Sequence, residues 1–134
     1  TIYQYLLTSS LRETSEQQQL REFTLKQVEQ ANMMISPEQG QLLSFLVELM
    51  QAKLAIEIGV FTGYGSLAIA KSLANNGKLI ACDQSDEWPK IGVPYWEKAG
   101  VRDKIQLEIA PAADTLQNLI TRNQVNQFDF TFID

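Results

Sequence analysis

The chain has 134 residues, 45% hydrophobic and 20% charged, with a formal net charge of −5. That length predicts one domain with a modest core, and the acidic balance argues against a general nucleic-acid binder, which needs a clustered Lys/Arg surface to neutralise phosphates. With no histidine and a single cysteine, Cys82, these residues cannot supply Ser-His or Cys-His catalysis, an intrachain disulfide, or an imidazole or thiolate-cluster metal site.

No apolar run approaches the roughly 20 residues that span a bilayer, and no basic-then-apolar signal pattern opens the chain. The expectation is a soluble, cytoplasmic protein with neither membrane nor nucleic acid as partner. In chain order, Ile2 to Leu7 is apolar and aromatic and reads as a short docking helix, followed by a polar loop from Thr8 to Ser15. Thr14 and Gln17 have capping-box spacing, and Leu20, Phe23, Val28 and Ala31 share one face of a helix expected over Glu16 to Gln30. Ser36-Pro37-Glu38-Gln39 is a stronger helix start, with Ser36 as N-cap and Pro37 where its missing N–H costs nothing. The apolar stripe Leu42, Leu43, Leu46, Val47, Leu49 and Met50 then packs this helix on a sheet.

Leu54 to Ser66, LAIEIGVFTGYGS, reads as a strand, a tight Gly-rich turn and the start of a helix running to Leu73. Asn75-Asn76-Gly77 stops that helix, and Leu79 to Cys82 forms a second apolar strand ending at Asp83. Ser85 is a candidate cap for a third helix through Lys98, which Pro94 should kink or break. Lys104 to Ile109 alternates as an edge strand does, Pro111 to Ile120 is helical, and Phe128 to Ile133 reads as a buried fourth strand. Short apolar strands alternating with helices indicate an α/β fold with a parallel sheet covered on both faces. A chain ending on a buried strand suggests an incomplete domain.

The chemistry sits where these strands end. A carboxylate at Glu57, on an apolar strand, is costly unless something positive or hydrogen-bonding meets it. It suits a ligand ammonium, while N–H groups of the helix start after Gly63 suit a carboxylate, so the pair fits a zwitterion; a plain strand-to-helix turn is the alternative. Glu57-x-Gly59-x-x-x-Gly63-x-Gly65 departs from the dinucleotide spacing G-x-G-x-x-G. Asp83, 20 residues after Gly63, is placed to accept from two ribose hydroxyls, or else serves a turn before Ser85. Pro111-Ala112-Ala113-Asp114 leaves room for a flat ring, or is simply a helix start. Asp134 ends the fourth strand at the same edge as a metal ligand, a base or a cap. Met33 and Met34 either cover the mouth of this site or pack in the core. Trp88, Tyr95 and Trp96 read as packing residues, and Tyr64 fits either role.

Ile35 to Gln41 (ISPEQGQ), Glu57 to Tyr64 (EIGVFTGY), Tyr95 to Val101 (YWEKAGV) and Phe128 to Asp134 (FDFTFID) together resemble the caffeoyl-CoA/catechol O-methyltransferase family, cation-dependent enzymes that use S-adenosylmethionine. The resemblance implies a Rossmann-like class I methyltransferase sheet with parallel strands in the order 3-2-1-4, N-terminal helices over residues 1–52 and a β-α-β-α-β-α-β core over 53–134. It implies that Glu57, Gly59 and the turn Thr62, Gly63, Tyr64, Gly65 and Ser66 hold the methionyl moiety, Asp83 the ribose, and Ala112 with Ala113 the adenine. Asp134 would be the first of three ligands to a divalent cation, Mg²⁺ by family habit. Gly65 stands where relatives carry Ser; Ser66 either substitutes or faces the helix interior. The Asp-Asn pair that completes the family's metal site and its candidate Lys base fall outside these residues, so the 134 residues alone are not expected to turn over. The expected activity is methyl transfer to a hydroxyl of a small catechol-like acceptor, with a homodimer implied by family habit. A nicotinamide-dependent oxidoreductase and a non-catalytic cofactor-binding fragment are the rival readings.

Overall fold

The computed structural model describes all residues from Thr1 to Asp134. Three helices, α1 (Ile2–Ser10), α2 (Ser15–Gln27) and α3 (Pro37–Met50), precede β1 (Leu54–Ile58), α4 (Tyr64–Ser72), β2 (Lys78–Asp83), α5 (Pro89–Lys98), β3 (Ile105–Ile109), α6 (Ala112–Thr121) and β4 (Phe130–Ile133). The capping signals form as the sequence predicts: Thr14 and Gln17 make a reciprocal box at α2, and Ser36 accepts from the Gln39 N–H with Pro37 opening α3.

All four strands are parallel, in the order β3-β2-β1-β4. The chain steps outward from β1 to β3 and then returns to the other side of β1, so the strand order reverses between β1 and β4. That reversal opens a crevice at the carboxyl ends, where open α/β sheets bind ligands. One face of the sheet, through Ala55, Leu79, Ala81 and Ile105, packs on α2, α3, α4 and α5 by way of Leu20, Val47, Leu67, Ile69 and Trp96. The other, through Ile56, Ile80 and Cys82, meets Leu119 of α6. The helix-rich face carries the larger core and holds the β1–α4 turn firmly from behind.

The structure corrects the following expectations. α1 runs to Ser10, its last turns joined by the Thr8 and Ser10 hydroxyls, which donate to the Gln4 and Leu6 carbonyls, so the polar segment from Thr8 is partly helical. α2 ends at Gln27, where Val28 is extended (φ −111°, ψ 120°), and not at Gln30. α5 begins at Pro89, since Ser85 makes a local turn in which its hydroxyl accepts from the Glu87 N–H. Pro94 does not break it, and both Pro94 and Lys90, whose carbonyl loses its N–H partner, are exposed residues. Within the 134 residues β4 lies on the open side of β1, with Thr131 and Ile133 exposed. β3 is the opposite edge, as its alternation predicts. No helix is long and apolar enough to cross a membrane.

Candidate functional site

The crevice is a cleft of about 550 Å³ at the carboxyl ends of β1, β2 and β4, lined by Asn32, Met33, Ile58, Gly59, Phe61, Cys82, Asp83, Gln84, Trp88, Ala110, Ala112 and Asp134. A narrow recess continues from it beneath the glycine turn, lined among others by Glu57, Thr62, Tyr64 and Gly65. A mouth this size with few polar groups suits a small organic ligand.

The turn after β1 is built for close approach. Gly59 has φ +91°, and a Cβ there would lie 2.8 Å from the Asp134 carbonyl oxygen. Gly63, at φ +86°, rests on the Trp96 indole; a Cβ would come within 2.4 Å of it. Between them Phe61 also adopts the left-handed region, φ +52°, a conformation unfavourable for a bulky residue and one that concentrates at ligand sites. Its ring packs edge-on against Trp88, with centroids 5.1 Å apart.

Glu57 is 1% exposed, and its one hydrogen-bond partner is the Ser66 hydroxyl from the first turn of α4. Burial pushes its carboxyl up to about 8; the Ser66 bond opposes this, and the neighbouring carboxylates Asp134 and Asp83 add to it. A buried acid beside a cleft, with no cation of its own, has the chemistry to take up a ligand ammonium. A Cβ at Gly65 would lie 2.5 Å from Glu57 Oε1, so any side chain there would displace this carboxyl.

Asp83 fills the turn role before Ser85 and also lies in the lining of the cleft. Its Oδ2 accepts from the backbone N–H groups of Val60 (2.9 Å) and Phe61 (3.0 Å), and Oδ1 accepts from Ser85 N–H at 2.9 Å. It therefore ties the end of β2 to the glycine turn while its half-buried carboxylate still faces the cleft.

The structure thus gathers Met33, Glu57, Gly59, Asp83, Ala112 and Asp134 around one cleft and its recess. Thr62, Tyr64 and Gly65 also line the recess, but the hydroxyls of three expected residues bond elsewhere. The Thr62 hydroxyl is fully buried against Thr24, Tyr64 sends its hydroxyl to Glu13, and Ser66 faces the helix interior toward Glu57; these residues can meet a ligand only through backbone. Gly63 supports the turn from outside the cleft lining, and Ala113 is exposed and also outside it. Phe61, Gln84, Trp88 and Ala110 line the cleft without having been anticipated. Trp88, expected as a packing residue, does pack on Phe61, but it also forms a wall of the cleft. Asp134 sits exposed at the mouth, and no group of three or more His, Cys, Asp or Glu is arranged to hold a metal ion. A hard divalent cation takes about six oxygen ligands, mixing carboxylates and water; Asp134 alone does not fit that requirement.

A parallel sheet of order 3-2-1-4, with an acid near the end of β1, a glycine turn after it and an acid ending β2, is a Rossmann-like arrangement, the fold of the class I methyltransferases among its structural neighbours. Residues 7–134 match the sequence family described as O-methyltransferase, and the chain belongs to that family. It is 40% identical over all its length to a probable caffeoyl-CoA O-methyltransferase 2 of Dictyostelium discoideum and 41% identical over 99% of it to a mouse catechol O-methyltransferase domain-containing protein 1. It spans 58% and 50% of those two proteins. Among solved structures it is similar to an O-methyltransferase of Streptomyces achromogenes involved in tomaymycin synthesis, in complex with SAM: TM-score 0.89, 26% identity, covering 99% of this chain and 59% of that one.

Proposed function

We propose that the chain is the S-adenosylmethionine-binding part of an O-methyltransferase that acts on a hydroxyl of a small catechol-like acceptor. The observation that carries this reading is Glu57: a fully buried, cation-free carboxyl at the end of β1, directly under a glycine turn and beside a cleft of ligand size. S-adenosylmethionine supplies an electrophilic methyl group on a sulfonium.

The chain's own residues bind and orient. Glu57 accepts the ammonium; with a cation in place its carboxylate form is favoured, and the carboxyl gives up its proton as the site fills. Backbone N–H groups at the start of α4 face the methionyl carboxylate. Asp83 accepts from ribose hydroxyls with the lone pairs its loop bonds leave free. Ala110 and Ala112 leave space for the adenine plane, and Phe61 and Trp88 exclude water from that side. Holding donor and acceptor in line lowers the barrier through positioning. Asp134 is proposed as one ligand of a divalent cation, Mg²⁺ by family resemblance, but these residues do not complete a coordination shell. The 134 residues are accordingly proposed to bind cofactor without turning over.

Calorimetric titration with S-adenosylhomocysteine and with NADH tests the reading. Binding of the former alone supports it; binding of NADH alone would replace it with the oxidoreductase reading.

A further inference from the structure

Thr62, Gly63 and Tyr64 close the glycine turn, and each is held by a group outside the sheet. Thr62 Oγ1 shares a hydrogen bond of 3.0 Å with Thr24 Oγ1 of α2, both residues being fully buried. The Gly63 carbonyl accepts from Trp96 Nε1 at 3.0 Å. The Tyr64 hydroxyl donates to Glu13 Oε1 at 2.6 Å, and Glu13 is gripped by Arg21 of α2, whose Nε and Nη2 each donate to one of its two oxygens at 2.7 Å.

The segment carrying Glu13 is itself fixed. Gln41 of α3 accepts from the Arg12 N–H at 2.6 Å and donates to the Ser10 carbonyl at 2.7 Å. The Tyr64 ring lies against Gly40, where a Cβ would approach to 2.7 Å. Two of the three ties to the turn therefore come from α2 or its lead-in, although no residue of α2 lines the cleft or its recess.

A largely buried carboxylate held by a fork-shaped guanidinium and a phenol tolerates few alternative geometries, because breaking one bond leaves an unpaired buried group. Burial raises the Glu13 carboxyl, yet the bonds from Arg21 and Tyr64 prevail and hold it below the usual carboxylate range. The carboxylate form that the network needs is thereby maintained at neutral pH.

We infer that Glu13, Arg21 and Thr24 are positioning residues for the cofactor turn: through Tyr64 and Thr62 they lock it in its ligand-ready conformation, so that docking of α2 and binding in the cleft are coupled. The inference rests on the S-adenosylmethionine reading of the cleft. Coupling of this kind is reciprocal, so ligand in the cleft must also stabilise α2.

The test combines S-adenosylhomocysteine titration with hydrogen exchange on the wild type, Tyr64→Phe, Thr24→Val and, as a control for general destabilisation, Val101→Ala in the core. Tyr64→Phe keeps the ring and the Glu13–Arg21 pair and removes only the hydroxyl. The expected result is a Kd weakened about 3- to 10-fold in Tyr64→Phe and Thr24→Val, the range for one lost hydrogen bond. In the wild type the ligand slows exchange of α2 amides, and Tyr64→Phe reduces that protection. Val101→Ala lowers the melting temperature but keeps wild-type affinity. Wild-type affinity and α2 protection in both turn variants, or an equal loss of affinity in Val101→Ala, overturns the inference while leaving the cofactor reading intact. A wild type that binds no S-adenosylhomocysteine overturns both.

Discussion

Replacing Glu57 with Gln removes a single titration from the centre of the fold and keeps the side-chain shape. The carboxyl is buried, bonded to Ser66, and raised from 4.5 to about 8. Because its folded-state value lies above its unfolded one, the native state holds the proton more tightly. The stability tied to Glu57 is complete below about pH 4.5 and is lost as pH rises toward 8. At about 1.36 kcal/mol per unit the shift corresponds to about 5 kcal/mol, a ceiling that relaxation and water entry reduce. Urea unfolding of the ligand-free wild type and Glu57→Gln at pH 5, 7 and 9 isolates this residue from other titrations. The variant should be the less stable at pH 5, by about 1–3 kcal/mol for its poorly satisfied amide, and the gap should close or reverse by pH 9. With S-adenosylhomocysteine present the order is restored, because the variant should bind about 10- to 100-fold more weakly, as expected for one charge-assisted hydrogen bond. A stability difference that stays constant from pH 5 to pH 9 would refute the reasoning.

Asp83→Ala should weaken S-adenosylhomocysteine binding by about 1–3 kcal/mol if the ribose bonds are made; an unchanged calorimetric Kd would return Asp83 to a purely local role with Val60, Phe61 and Ser85. Gly63→Ala combines a left-handed backbone with a collision against Trp96 and should cost about 2–4 kcal/mol by denaturant unfolding, whereas a stable variant would mean the indole moves freely. Glu13 titrates in the opposite sense from Glu57: its lowered value makes its contribution present above the ordinary carboxylate pKa of 4.5 and lost as pH falls below it. Glu13→Gln should therefore flatten the acid limb of the stability profile, and an unaltered limb would contradict the network.

The strands were legible because parallel strands buried on both faces are short apolar runs with room between them for helices, and their order 3-2-1-4 followed from the family resemblance. Helix ends were legible where a capping box stood alone, as at Thr14, and misread where two signals competed. Ser85 and Pro89 both mark helix starts, and the proline at the first helical position prevailed because Ser85 folds its hydroxyl back on Glu87. The charged side of the site was visible because carboxylates at the ends of apolar strands have few cheap explanations. Its apolar wall was not: Phe61 and Trp88 reach the cleft through a left-handed backbone and a loop, features without sequence periodicity. The side-chain partners of Thr62 and Tyr64 were not legible for a related reason. A residue inside a binding turn offers the ligand its backbone, and its side chain is free to bond elsewhere, here to Thr24 and Glu13.

The central claim is that the cleft between β1, β2 and β4 receives S-adenosylmethionine through Glu57, the glycine turn and Asp83. Backbone amide shifts of ¹⁵N-labelled protein during titration with S-adenosylhomocysteine test it most directly. The account predicts the largest saturable changes at Gly59 to Ser66, at Asp83 to Ser85 and at Ala110 to Ala112, with smaller ones along α2. Saturable changes confined to surfaces away from these three segments would contradict it.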